Sequence, residues 1–143
     1  SGLSFDKVIN QTEHFIHEMG TKFVLESLET LRKNGRLSTV TATLASALNI
    51  KPVMTSNGNG EIDKVTQARG MSKAIIKMAD AIKADAVDPQ NHTLMIAHCN
   101  NRKRAEFVKE EILKRLSFKD VQITETGGIS SLYAADGGIV VCY

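Results

Sequence analysis

Apolar positions recur with a helical period over residues 4–19. Phe5, Val8, Ile9, Phe15, Ile16 and Met19 share one face there, and Gly20 ends the run. Residues 21–25 read as a strand. Leu25, Leu28 and Leu31 then stand at helical spacing and predict a short amphipathic helix, closed by the basic turn Asn34-Gly35-Arg36. A second helix is expected next, with Ser38 or Thr39 as N-cap and Leu44, Ala45 and Leu48 along it. Pro52 forbids its continuation and pushes Lys51 into an extended conformation.

The period then changes. Residues 50–56 and 62–68 read as two strands joined through Asn57-Gly58-Asn59-Gly60, which makes a hairpin. Met71, Ala74, Ile75, Met78, Ala79 and Ile82 form a clean helical stripe after Arg69-Gly70. A loop at Asp88-Pro89-Gln90-Asn91 leads to a short buried strand over residues 93–97 with His98 at its end. Asn100 and Asn101 cap a helix that turns Ala105, Val108, Ile112 and Leu116 inward. A strand over residues 121–126, a Gly127-Gly128 turn, a short helical or irregular piece over 129–134 and a last strand over 137–143 complete the pattern. Strands and helices alternate, but the hairpin requires antiparallel pairing. The expected fold is therefore α/β of the α+β kind: a mixed, partly antiparallel sheet with helices packed on it.

The chain has 143 residues, enough for one domain, and 42% of them are hydrophobic. Eighteen Lys and Arg against sixteen Asp and Glu leave a net charge of +2, too balanced for a surface that tracks nucleic-acid phosphates. No apolar run reaches the roughly 18 residues of a membrane span, and no signal peptide pattern is visible. Two thiols, Cys99 and Cys142, on segments that read as separate strands fit a reduced, cytoplasmic protein better than one with a disulfide, the alternative an even pair leaves open. No Cys/His spacing fits a zinc site, and no metal or cofactor is expected.

Candidate chemistry is sparse. There is no Gly-x-Ser-x-Gly elbow, no Walker loop and no thiol beside a plausible base, so an enzyme acting alone is not expected. The glycines of Asn57–Gly60 are not followed by a helix, which argues against a phosphate loop. His14 and His17 read as solvated side chains near a helix C-terminus. A histidine at a strand–helix junction, as His98 is, marks a frequent place for chemistry in α/β folds, yet one that only bonds the adjoining loop is commoner. Arg36 sits in a loop that meets a helix N-terminus and Arg69 at the entry of the next helix, and a guanidinium there adds a bidentate donor to a site that already favours anions. Arg102-Lys103-Arg104 reads as the solvated first turn of a helix. Gly137 and Gly138 let backbone approach a neighbouring strand or a ligand headgroup closely.

The stretch LETLRKNGRLSTVTATLASALNIKPV resembles the central segment of the DegV family, Leu-x-x-Leu-x-x-Gly-Gly-Arg-Ile-Ser followed by a small-residue helix and Leu-Asn-Ile-Lys-Pro. Asn34 stands at the first Gly of that pair and Leu37 at the Ile. A Gly-rich turn, a Val-x-x-Ala-Arg-Gly segment, an Ile-Ala-His strand end and a Gly-rich last strand follow in the family's order. The resemblance implies the C-terminal domain, residues 1–143, of a two-domain carrier of long-chain fatty acids. In some bacteria such carriers serve as the acyl-binding subunit of a fatty-acid kinase. It implies that the acyl chain lies largely in an N-terminal domain this chain does not include, with the headgroup at the cleft between domains. The carried-over ligand residues are Arg36, Ser38, Arg69, Tyr133 and Gly137. The family's His-x-Gly-Pro-Gly pattern falls on Tyr133-Ala134-Ala135-Asp136-Gly137, so Tyr133 replaces the His and Asp136 the Pro. A tyrosine still donates a hydrogen bond to a carboxylate but carries no positive charge near neutral pH.

Two other classes fit the residues. Arg36, Arg69 and the cluster from Arg102 to Arg104 could dock an acidic partner. Alternatively, the helix N-termini could hold a phospho-metabolite.

Overall fold

The computed structural model describes residues 2–37 and 49–143. Its centre is a six-stranded sheet: β1 (Thr21–Val24), β2 (Ile50–Ser56), β3 (Ile62–Arg69), β4 (Thr93–His98), β5 (Asp120–Glu125) and β6 (Ile139–Cys142), in the order β3-β2-β1-β6-β4-β5. Only β4 and β5 pair in parallel; every other neighbouring pair is antiparallel. The sheet is mixed, as the hairpin required. That hairpin is held by Asn57, whose Oδ1 accepts from the Asn59 and Glu61 amides. Between β2 and β3 the register slips by one: Val53 faces Thr66 while Met54 faces Lys64, which leaves Val65 as an extra residue in β3.

Among the described residues, five α-helices accompany the sheet: α1 (Phe5–Glu18), α2 (Glu29–Lys33), α3 (Met71–Asp85), α4 (Arg102–Leu113) and α5 (Gly128–Ala134). α3 and α4 cover one face. The α3 stripe of Ala74, Ile75, Met78, Ala79 and Ile82 is buried, as its spacing predicts, against Val24, Val53, Leu94, Ile96, Ile139 and Val141 of the strands. Each large side chain buried there contributes about 1.5–3 kcal/mol. α4 starts where the Asn101 side chain accepts from the Arg104 amide, the cap its sequence announces. Arg115 bonds Asp80 of α3 and Glu111 of α4, tying the two helices together.

One expectation needs correction, and two gain detail. The helix expected from Leu25 starts only at Glu29; Leu25 leaves β1 and Leu28 is the N-cap, so the leucine spacing is shared between a strand exit and a short helix. α1 forms as its period predicts, but none of its residues is buried, and Phe5, Phe15 and Ile16 are more than half exposed. Arg69 stands at the entry of α3 as expected: it is the last residue of β3, and Gly70, at φ 82°, is the N-cap. Ser38, Thr39, Leu44, Ala45 and Leu48 lie outside the described residues.

Candidate functional site

The strand pairings give β1, β3, β4 and β5 one direction and β2 and β6 the other. The C-terminal ends of four strands and the N-terminal ends of α3 and α4 therefore share one edge of the sheet. Arg69, His98 and the loop before β6 all lie on it.

Beside this edge, on the face not covered by α3 and α4, α2 and α5 flank an apolar cavity of about 290 Å³. Phe23, Leu25, Leu31, Tyr133, Ala134 and Val140 line it, with Ile129 at its rim. Its floor follows from strand alternation: Lys22, Val24, Ile139 and Val141 point to the helical layer, so Phe23 and Val140 point the other way. Leu25, Leu31, Leu37, Met54 and Ala134 are buried together beside it, and Tyr133 packs on them half-buried.

Arg36 is exposed in the turn after α2, and its amide donates to the Leu31 carbonyl at 2.8 Å. It adjoins Leu37, so Arg36 and Tyr133 belong to the surroundings of one apolar cluster. Arg69 stands apart, separated from β1 by β2, two strand spacings or about 10 Å. Among the described residues, Arg36, Arg69 and Lys103 pair with no side chain, and all three are exposed. Ser38, the remaining candidate ligand residue before Gly137, is outside the described residues.

Gly137 is buried at φ 82°, and its carbonyl accepts from Arg104 Nη1. Arg104 also donates to Glu26 at 2.7 Å, and Glu26 receives Lys51 Nζ at 2.6 Å. Burial on its own would raise the Glu26 carboxyl; hydrogen bonds from Lys51 and Arg104 outweigh it and hold the group below its ordinary value of 4.5. Arg104 is thus not part of a solvated turn, which corrects the reading of the Arg102-Lys103-Arg104 run. No local pattern could have revealed it, because Glu26 and Gly137 are far from Arg104 in the chain.

His98 is 2% exposed, and its Nδ1 accepts from the Asn101 amide at 3.2 Å. Its carbonyl accepts from Thr126. These bonds end β4 and aim the chain into α4, the structural role of a junction histidine.

The face not covered by α3 and α4 also carries a second cavity, about 430 Å³, between the end of α1 and the strands, lined by Phe15, Met19, Met95, Cys142 and Tyr143 among others. Among the described residues there is no group of His, Cys, Asp and Glu side chains suited to a metal, and no helix long and apolar enough to cross a membrane.

The model of the DegV family, described as an uncharacterised protein family, matches residues 1–143. The chain belongs to the DegV family. Among solved structures, a DegV family protein from Ruminococcus gnavus, refined with vaccenic acid, is 47% identical with a TM-score of 0.95 over 99% of this chain and 50% of that one. The Fatty Acid Kinase B3 protein of Streptococcus pneumoniae, loaded with linoleic acid, is 31% identical with a TM-score of 0.86, again over 99% of this chain and 50% of that one. A DegV domain-containing protein of Streptococcus pyogenes is 32% identical over 142 residues, 99% of this chain and 50% of that protein. The chain thus spans about half the length of the DegV relatives it matches.

Proposed function

We propose that this chain is the C-terminal domain of a long-chain fatty-acid carrier and supplies the headgroup side of its ligand site. The observation that carries this is the apolar cavity between α2 and α5, with Tyr133 in its wall and the Arg36 turn beside it. It occurs in a chain 47% identical to half of a protein refined with vaccenic acid. Tyr133 donates a hydrogen bond to the carboxylate, whereas Gly137, carried over as a ligand residue, gives its close approach to Arg104 and Glu26 instead. Arg36 and Arg69 supply the positive field, with Ser38 nearby in the chain. The acyl chain extends into an N-terminal domain not included in these residues. The role is non-catalytic: the carrier presents the carboxylate to a separate fatty-acid kinase subunit, without a cofactor of its own. The free thiols Cys99 and Cys142 fit a cytoplasmic location. Lipid extraction from the intact protein followed by mass spectrometry tests the reading. One acyl species per protein is expected, and repeated recovery of none overturns it.

A second reading, docking of an acidic protein, is favoured by the exposed side chains of Arg36, Arg69 and Lys103, which pair with no carboxylate among the described residues. Capture that weakens with salt and ignores fatty acid would favour it.

A further inference from the structure

The β1–β6 ladder ends at the pair Val24 and Ile139. Two residues further along each strand, Glu26 and Gly137 would face each other as the next such pair. Instead the chains part. Beyond Glu26 the chain enters α2, one wall of the cavity; just before Gly137 it leaves α5, the other wall. The Gly137 carbonyl, which no longer meets a β1 amide, accepts from Arg104, and the same guanidinium holds Glu26. A Cβ on Gly137 would lie 2.6 Å from Arg104 Nη1 and 3.2 Å from Glu26 Cγ, so the three residues are in direct contact.

We propose that Arg104 is a positioning residue for the cavity: wedged where β1 and β6 diverge, it fixes the α2 wall against the α5 wall and so sets where Tyr133 meets a bound carboxylate. The proposal rests on the fatty-acid reading for its functional half and on the fold alone for its mechanical half. Each wall keeps its own anchor without Arg104. Glu26 remains bonded to Lys51 of β2, and the Gly137 amide still donates to the Cys99 carbonyl at 2.8 Å. Loss of Arg104 therefore loosens one wall against the other, leaving the buried cluster of Leu31 and Ala134 to join them, without unfolding either. The planar fork matters as well as the charge, because one nitrogen serves the carboxylate and the other the carbonyl.

Two measurements on the intact protein decide it, with Arg104→Gln, Arg104→Lys and Glu26→Gln. Hydrogen exchange should quicken in both residues 25–33 and 131–138 of Arg104→Gln and stay unchanged in α3. Affinity for vaccenic acid should fall about tenfold in Arg104→Gln and in Glu26→Gln, with partial recovery in Arg104→Lys. Unchanged exchange in either segment overturns the proposal, as does wild-type affinity in Arg104→Gln. If the unsubstituted protein binds no fatty acid, the carrier reading fails, and the exchange experiment still decides whether Arg104 couples the walls. Should Arg104→Gln not fold, Arg104→Lys and Glu26→Gln answer the same two questions.

Discussion

Gly20 and Tyr143 exchange both backbone hydrogen bonds, at 2.7 and 3.0 Å, and the Tyr143 ring occupies the space a Gly20 side chain would need. A Cβ on Gly20 would lie 2.5 Å from two ring carbons. The ring cannot swing away freely, because its hydroxyl donates to Asp85 at 2.6 Å and accepts from Lys22, a lysine only 4% exposed, at 2.8 Å. Gly20→Ala is expected to cost about 2 kcal/mol in urea unfolding. An unchanged midpoint would show that the ring moves at no cost.

Burial first, and the bond to Asp85 second, push the Tyr143 hydroxyl well above its ordinary value of 10.0. Above pH 10 the unfolded chain gives up this proton while the folded chain keeps it. The stability contribution is complete below pH 10 and is lost as pH rises beyond it. Melting temperature followed into the alkaline range should fall from that point, and Tyr143→Phe should shallow the fall.

Glu26 shifts the other way. Its carboxyl is held down, so its contribution is present above its ordinary 4.5 and is lost as pH falls through the lower folded value. Acid unfolding of Glu26→Gln should begin from a lower plateau with a weaker dependence between those pH values. The same acid slope in both proteins would remove Glu26 from the account.

Gly138 has no room for a side chain, since a Cβ would sit 2.2 Å from the Ala134 carbonyl oxygen, a backbone atom at the end of α5. Gly138→Ala should cost on the order of 3 kcal/mol and lower expression of folded protein. A variant as stable as the parent would mean that α5 repositions easily.

For the ligand, Tyr133→Phe keeps the cavity wall and deletes one donor. Affinity of the intact protein for vaccenic acid should drop about tenfold, the value of one hydrogen bond to a charged group. Equal affinity would show that the hydroxyl does not reach the carboxylate.

The helices of the covered face were legible because their stripes are local. Ala74 to Ile82 repeat at one period, and Asn101 caps α4 from three residues away. The hairpin was legible for the same reason, since Asn57 bonds residues no more than six positions away, in its own turn and at the start of β3. The site was less so. Leu25 and Leu31 share a helical spacing by coincidence of a strand exit and a short helix. The α1 stripe announces a helix but carries no information about what it faces. Arg104 reads as a surface charge until the fold brings Glu26 and Gly137 to it. The resemblance, not periodicity, singled out Tyr133, and only the fold shows that it packs beside Leu31 and Leu37.

The extra residue in β3 has a consequence for the sheet's border. β3 is an outermost strand, and Val65 interrupts the even spacing of its outward amides and carbonyls. A foreign strand seeking to extend the sheet meets a broken row of partners, so the border resists stacking into fibrils. At the opposite border, β5 begins with Asp120 and ends with Glu125, both exposed, and like charges there repel a second copy of the same strand.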